Sequence, residues 1–238
     1  QMCIKRQLPA RMAGSFSRGR ASLAQSAEQL PCKQQVVGSI PTGGSACASM
    51  WLMILAALDM MVPTHQSTGL WRHPRAQPEQ YRDLRFWTAH AQMLERAGFD
   101  ALFLADAAGV YDVFDGSGRT AIRSGMQYPA LDPLTAVSAL AAATTTLGFG
   151  VTASVSYEQP YLLARRFASL DHLTDGRIGW NIVTGYQESA MRNLGAGGQL
   201  PHDARYDRAD EFMDVVCALW EGTFEPGALR ADAESGIY

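Results

Sequence analysis

Residues 147–183 read LGFGVTASVSYEQPYLLARRFASLDHLTDGRIGWNIV and contain a complete strand–helix–strand unit. The two ends of the stretch, Leu147–Val151 and Ile178–Val183, are short runs that are almost entirely apolar, which is typical of strands buried on both faces. Between them, Pro160 stands where a helix can begin, and Asp175-Gly176 stands where it can end. Two strands joined by one helix predict a parallel pair, because a parallel connection needs a crossover of this length.

The same alternation extends in both directions from this unit. Two earlier apolar runs, Trp51–Met60 and Ala101–Ala105, predict strands that precede it in the chain. The expected helices each place apolar residues three or four positions apart, on one face. They are, in order, a helix from Pro78 to Gly98, a helix capped by Asp132 with Pro133 at its first position, a helix from Pro160 to Gly176, and a helix over Tyr206–Glu221.

Strand and helix therefore alternate four times, which predicts a parallel sheet covered by helices. An open doubly wound sheet and a (β/α)8 barrel both fit this pattern. Neither GxGxxG after the first strand nor GxxxxGK[ST] occurs, so these nucleotide motifs are absent. Long segments follow the first, second and fourth strands, over 61–77, 107–131 and 184–205. Both architectures place their sites at the carboxyl ends of strands, so we expect the functional site on these segments.

Composition excludes several classes of protein. The chain has 238 residues, of which 47% are apolar and 18% charged, as in an ordinary globular protein. Residues 1–49 hold six basic side chains and one acidic side chain, so the other residues carry a net −8 within the total of −3. Such an acidic domain has no basic face for nucleic acid. The longest apolar run, Met50–Leu58, is too short to cross a membrane.

Histidine and cysteine spacing predicts no metal site. The five histidines form no HExxH pattern, and the four cysteines form no CxxC pair. GxSxG is also absent, which argues against an α/β-hydrolase. Only Cys217 lies beyond residue 49, a cysteine usage that favours a cytoplasmic location. A site with few protein nucleophiles suits a cofactor that carries its own chemistry.

Residues 1–49 differ from the rest of the chain, since they lack sustained periodicity and are rich in Ser, Gly, Gln and Arg. A transit peptide has this composition, whereas a secretory signal would need its apolar segment near the start. A third interpretation is that 24–44 resembles a conceptually translated bacterial tRNA gene, so that the true start would be Met50 or Met53. A natural disordered tail is the remaining alternative. We expect 1–49 to be a non-native or disordered extension and 50–238 to form the folded domain.

Several strings resemble the bacterial-luciferase-like, flavin-dependent monooxygenases. The resemblance is strongest to the two-component long-chain alkane, dibenzothiophene-sulfone and nitrilotriacetate monooxygenases. It covers about 54–238 in order, through GLWRHP (69–74), FDALFLAD (99–106), YDV (111–113), DPL (132–134), LDHLT (170–174), GRI (176–178), WNIVT (180–184), RYD (205–207) and LWEG (219–222). The resemblance implies a (β/α)8 TIM barrel, of which this chain would hold about the first four β/α units.

The resemblance also implies FMN as the cofactor, and it assigns flavin contacts residue by residue. Asp106 matches an acidic residue beside the flavin, and Thr152 matches a hydroxyl that touches it. His202 and Tyr206 match a pair at the mouth of the barrel. A serine that helps to hold the flavin phosphate in this family would lie beyond residue 238.

On the substrate side, His65, Tyr111 and Gln127 match pocket positions of the alkane-oxidising branch. Two positions depart from that branch, because Val62 replaces a cysteine and Tyr186 replaces a histidine. These departures put an alkane substrate in doubt, while Tyr186 stays a candidate catalytic residue with the other three.

The resemblance implies a monooxygenase that takes reduced FMN from a separate NAD(P)H:flavin reductase and uses O2 to oxygenate a small organic substrate. For the full-length enzyme it implies a homo-oligomer. Two other hypotheses stay open: a flavin-binding protein without turnover, and an inactive truncated gene product. Strands 51–60 and 178–183 would both be exposed sheet edges if only half a barrel is present.

Overall fold

The computed structural model describes residues 2–4, 54–65, 67–225 and 227–238. Within these ranges, five strands form one sheet in the order β1-β5-β4-β3-β2. The strands are β1 (Met2–Ile4), β2 (Ala56–Met60), β3 (Ala101–Ala105), β4 (Gly148–Ser154) and β5 (Ile178–Val183). Strands β2 to β5 pair in parallel, each with its neighbour in the chain, and β1 pairs antiparallel with β5.

Six α-helices within the described ranges connect and flank these strands. They are α1 (Leu84–Arg96), α2 (Arg119–Ser124), α3 (Leu134–Ala142), α4 (Pro160–Leu173), α5 (Glu188–Asn193) and α6 (His202–Gly222). The short helices α2 and α5 lie inside segments that the sequence analysis leaves as loops. Each has only six residues, too few for an apolar periodicity to be recognised.

The capping signals act close to their predicted positions. Pro78 opens a 3₁₀ turn, Pro78–Arg82, and α1 begins two residues later, where the Asp83 side chain accepts from the Arg85 N–H. The Asp132 side chain accepts from the Leu134 N–H at 3.0 Å, at the start of α3. Helix α4 begins at Pro160 as predicted.

The core lies between one face of the sheet and helices α1, α3, α4 and α6. Leu102, Leu104, Phe149 and Val151 point from the strands into this layer and are fully or almost fully buried. Trp180 on β5 joins them, with the rings of Phe167, Phe212 and Trp220 packed around it. Because these four helices cover the same face, the described residues form the half-barrel arrangement and not a doubly wound sheet.

Two expectations about the sheet are wrong. Strand β2 is not buried on both faces, because Leu58 is 52% exposed and Ala56 is also exposed. The reason is that the second face of the sheet lines an open cavity, and no helix among the described residues covers it. Strand β5 is not an exposed edge either, since β1 pairs with Gly179–Asn181.

The extension predicted for 1–49 lies outside the described residues, except for Met2–Ile4. Residues 51–53, predicted as the start of the first strand, are also outside them. Within the described part of the chain, no helix combines the length and the apolar character needed to cross a membrane.

Candidate active site

A cavity of about 1320 Å³ opens at the carboxyl ends of β2 to β5 and extends along the uncovered face of the sheet. The long segments that follow β2, β3 and β5, together with the first turns of α6, form its walls. All eight residues proposed from the sequence line this one cavity: His65, Asp106, Tyr111, Gln127, Thr152, Tyr186, His202 and Tyr206. The structure therefore brings together residues that are up to 141 positions apart in the sequence.

The strand register sets the floor of the cavity. Leu58 pairs with Phe103, and Met60 pairs with Ala105, so alternate side chains of β2 and β3 reach the cavity side by side. On the other half of the floor, Thr152 pairs with Asn181. The Asn181 side chain donates to the Thr152 hydroxyl at 3.0 Å, and Thr152 is only 8% exposed. This contact fixes the orientation of a buried hydroxyl at the cavity surface.

Asp106 follows β3 directly and is a half-buried acid in the wall of the cavity. Burial raises the pKa of its carboxyl to about 6, and the negative charges of Asp132 and Glu158 add to the effect, although a hydrogen bond from the Ala107 N–H opposes it. Its protonation therefore changes close to neutral pH. Perturbed carboxyls in clefts are common at functional sites, which supports a role for Asp106.

His202 and Tyr206 lie on the first turns of α6, with their ring centroids 5.0 Å apart. The predicted helix over Tyr206–Glu221 begins four residues earlier in the structure, at His202. The Arg205 N–H donates to the Pro201 carbonyl, so the first turn forms directly after Pro201. The earlier start places His202 one turn above Tyr206 on the same face of the helix.

Tyr111 and Tyr186 meet across the cavity from different segments. The Tyr186 hydroxyl donates to the Tyr111 hydroxyl at 3.0 Å. Burial and this hydrogen bond raise the pKa of Tyr186 to about 12, so its phenol is neutral at physiological pH. Gln127 has a positive φ of 49°, and its N–H donates to the carbonyl of Thr64, next to His65. That bond joins the segments that carry Gln127 and His65.

A group of residues around Gly185 lines the cavity but was not predicted from the sequence. The guanidinium of Arg205 donates to the Gly185 carbonyl, and the Tyr157 side chain lies directly over the Gly185 backbone. A Cβ atom at Gly185 would collide with the Tyr157 hydroxyl, and the φ of this glycine is +65°. A glycine soon after a strand end was the available signal, because it marks a close approach or a left-handed turn.

Four buried donor atoms in this region have no hydrogen-bond partner among the described residues: the Tyr157 hydroxyl, Gln187 Nε2, Gln199 Nε2 and Arg205 Nε. The side chains of Tyr157, Gln187 and Arg205 line the cavity. Gln187 as a whole is only 7% exposed. Buried donors without acceptors are costly, so a ligand that presents acceptor atoms would be stabilised here.

Comparison with known proteins defines the class of this fold and site. The family described as luciferase-like monooxygenase matches residues 60–234, and the chain belongs to this family. Members of the family share the TIM-barrel fold, and the four parallel β/α units described above correspond to part of such a barrel.

Individual relatives are similar over most of this chain. A dimethyl-sulfide monooxygenase from Hyphomicrobium sulfonivorans is 52% identical over 186 residues, which are 78% of this chain and 39% of the relative. The crystal structure of a long-chain alkane monooxygenase superimposes with a TM-score of 0.75 at 50% identity, covering 78% of this chain and 43% of that chain.

A riboflavin lyase, solved with modified FMN and riboflavin, superimposes with a TM-score of 0.71 at 43% identity, over 77% of this chain and 41% of that chain. The chain thus spans about two fifths of the length of the relatives it matches.

Proposed function

We propose that this chain belongs to an FMN-dependent monooxygenase that oxygenates a small organic substrate. Reduced FMN supplies two electrons, so that one oxygen atom of O2 enters the substrate and the other leaves as water. The observation that carries the proposal is the convergence of Asp106, Thr152, His202 and Tyr206 on one cavity with three unpaired buried donors. Membership of the family and the FMN in the riboflavin lyase structure support it.

The donor chemistry of the cavity fits a flavin. A flavin ring and its phosphate present many acceptor oxygens and nitrogens, and the unpaired donors of Tyr157, Gln187 and Arg205 can satisfy them. Asp106, Thr152, His202 and Tyr206 would hold the cofactor from the floor and the mouth of the cavity. Leu58 and Phe103 supply apolar surface that excludes water from beneath it.

A second set of residues that line the cavity would bind and orient the substrate. His65, Tyr111, Gln127 and Tyr186 present ring nitrogens, hydroxyls and an amide to the cavity. In the proposed reaction these groups orient the substrate and supply hydrogen bonds. Asp106 is neutral below a pH of about 6 and charged above it, so it can donate a hydrogen bond or accept one depending on pH.

The proposal includes further partners and a location. The partner is an NAD(P)H:flavin reductase that delivers reduced FMN, and the whole enzyme is a cytoplasmic homo-oligomer. Cys217 is disulfide-bonded in the structure, so the cytoplasmic location rests on the need for NAD(P)H and not on cysteine usage.

A second candidate is a flavin-binding protein without turnover. Val62, which stands where the alkane-oxidising branch has a cysteine, is 7% exposed and is not part of the cavity wall. The chain thus has no thiol at this position, although the residues proposed to contact the flavin line the cavity. Flavin binding without substrate-dependent consumption of NADH would favour this candidate.

Titration of the full chain with FMN, oxidised and then reduced under anaerobic conditions, tests the proposal. We expect Asp106→Ala, Thr152→Ala and His202→Ala each to weaken binding about three- to tenfold, because each removes a hydrogen bond worth about 0.5–1.5 kcal/mol. Asp207→Ala, an exposed change on α6 outside the cavity, is the matched control. Unchanged FMN affinity in all three site variants would reject the site assignment.

The second stage adds a flavin reductase, NADH and a candidate substrate. Substrate-dependent oxygen consumption and an oxygenated product, detected by mass spectrometry, separate the monooxygenase from the flavin-binding alternative. The results of this second stage are interpreted together with the FMN affinities from the titration. A lack of turnover is informative only for a chain that binds FMN.

A further inference from the structure

The two phenols on the substrate side of the cavity are hydrogen-bonded to each other, with the Tyr186 hydroxyl as the donor. Tyr186 donates to Tyr111, so the Tyr186 proton is used within the pair. The proton of Tyr111 has no acceptor among the described residues, and the Tyr111 side chain lines the cavity. The pair therefore presents one hydrogen-bond donor to whatever occupies this part of the cavity.

The backbone of Tyr186 is held in place from two directions. Arg205 binds the carbonyl of Gly185, and the Ser156 hydroxyl donates to the carbonyl of Thr184. The segment before Tyr186 is thus tied to α6 and to the end of β4. Such a tether limits the positions that the Tyr186 phenol can reach.

The backbone around Tyr111 is tied to α5. The Ser189 hydroxyl donates to the Val110 carbonyl at 2.5 Å, and Arg192 pairs with Asp112 at 2.5 Å. A Cβ atom at Gly109 would lie 2.5 Å from the backbone nitrogen of Ala190, so the two segments are in close contact. The backbone segments that carry both phenols are therefore held by their neighbours, which limits how far the two hydroxyls can separate.

The charge of the cavity disfavours anionic substrates. Four carboxyl groups line it, those of Asp106, Asp132, Glu158 and Asp210, against one guanidinium, that of Arg205. Glu158 is paired with Arg166 at 3.1 Å, and Arg205 is bound to Gly185. The remaining negative charge disfavours an anionic substrate that approaches these carboxyl groups, particularly one with several carboxylates. The phosphate of FMN would instead lie against the unpaired donors of Tyr157, Gln187 and Arg205.

We propose that the Tyr111–Tyr186 pair selects neutral substrates that carry a hydrogen-bond acceptor, such as a carbonyl or sulfonyl oxygen, over hydrocarbons of the same shape. This inference rests on the proposed function and names its substrate class. Tyr111 binds the acceptor directly, and Tyr186 is a positioning residue that acts through Tyr111. A hydrocarbon would bury the Tyr111 hydroxyl without a partner, and sites built around a polar contact discriminate strongly against analogues that lack it.

Binding of matched probes to the full chain, without flavin, tests this inference. Fluorenone and fluorene share a tricyclic skeleton and differ by one carbonyl oxygen, and fluorene-9-carboxylate adds a negative charge. We expect fluorenone to bind about three- to tenfold more tightly than fluorene, which corresponds to one net hydrogen bond. The carboxylate should bind no more tightly than fluorene. Equilibrium dialysis or calorimetry measures the three affinities.

Substitutions of Tyr111 and Tyr186 distinguish substrate selection by this pair from a general loss of cavity structure. Tyr111→Phe should reduce the preference for fluorenone to about one, and Tyr186→Phe should reduce it in part, because the donor stays but loses its orientation. Tyr161→Phe, an exposed tyrosine at the start of α4, is the control and should keep the preference. A purely structural role of either tyrosine would lower both affinities and leave their ratio unchanged.

Three results would overturn the inference: no preference for fluorenone in the unmodified chain, no fluorenone binding at all, or an unchanged preference in Tyr111→Phe. The FMN titration described above is independent of these measurements. If FMN does not bind but the preference for fluorenone is intact, only the monooxygenase proposal is rejected. If FMN binds but the preference for fluorenone is absent, only the proposed substrate class is rejected.

Discussion

Asp106 is a half-buried residue whose protonation makes the stability of this fold depend on pH. Its pKa is raised by burial from 3.8 to about 6, so folding favours the protonated form. The contribution of this group to stability is therefore greatest below pH 3.8 and is lost as the pH rises through about 6. Above that pH, the folded chain carries a desolvated negative charge near Asp132 and Glu158.

Replacement of this charge should stabilise the chain at neutral pH. We predict that Asp106→Asn raises the free energy of unfolding by about 1–2 kcal/mol at pH 7.5 and has little effect at pH 3, where the group is protonated in both the folded and the unfolded chain. Urea denaturation at the two pH values measures this difference. Asp207→Asn is exposed and should show no such pH dependence. An equal effect of Asp106→Asn at both pH values would contradict the assignment.

Gly185 is a residue for which both backbone conformation and space are decisive. We predict that Gly185→Ala destabilises the chain by about 2–4 kcal/mol, because the new Cβ collides with the Tyr157 side chain and φ is +65°. The change should also weaken FMN binding, since it displaces Tyr157 and Arg205.

Gly195→Ala is a matched control for this change. Gly195 has a φ of +74°, but nothing lies within 4 Å of the position that a Cβ atom would take there. It should show only the conformational cost, about 1 kcal/mol. Similar losses of stability in the two variants, measured by thermal unfolding, would show that the contact with Tyr157 is unimportant.

At the scale of elements, the turn between α3 and β4 is held by two side chains of opposite charge. Glu95 on α1 accepts from the backbone N–H groups of Thr145, Thr146 and Leu147. Arg177, just before β5, donates to the carbonyl oxygens of Ala141, Thr144 and Leu147. The two side chains thus satisfy both kinds of backbone group where the chain turns, at the end of the sheet opposite the cavity.

Loss of the Glu95 charge should loosen this turn. Burial acts to raise the pKa of Glu95, but the three N–H donors outweigh it and lower the pKa from 4.5 to about 2. The stabilisation is therefore complete above pH 4.5 and is lost as the pH falls towards 2. We predict that Glu95→Gln costs about 1–3 kcal/mol at pH 7, measured by chemical denaturation. Glu211→Gln, exposed on α6, should cost almost nothing.

On the scale of the whole molecule, the described part of the chain has one layer of helices on one face of the sheet and an open cavity on the other. Strand β2 pairs only with β3 among the described residues. Ile54, Leu55 and Leu58 at this edge are 61%, 43% and 52% exposed. Long apolar edges promote association between chains, because unpaired backbone groups and apolar side chains are offered together.

A single charge at this edge should reduce association. We predict that Ile54→Lys lowers the dimer or aggregate fraction several-fold, measured by sedimentation or light scattering, because a lysine at an edge opposes strand addition. Val113→Lys adds the same charge at a loop position that is 86% exposed, away from the edge, and should have a smaller effect. An equal effect of the two changes would mean that net charge and not the edge controls association.

The sequence by itself determined where the four parallel strands and the main helices lie, and it selected residues that line one cavity. Ala101–Ala105 and Ile178–Val183 are strands over their predicted lengths, and α4 begins at the predicted Pro160, because apolar runs and caps are local signals. The family resemblance is confirmed, and the residues it selected all face one cavity.

Only the tertiary structure decided how distant segments meet. The contact of Tyr111 with Tyr186, the close approach of Tyr157 to Gly185, and the pairing of Met2–Ile4 with β5 join parts of the chain that are far apart in sequence. The open face beside Leu58 also lay beyond local reasoning, because an apolar run shows that a side chain can be buried but not what covers it. Periodicity reports the environment along one element, whereas contacts between loops depend on how all the elements pack.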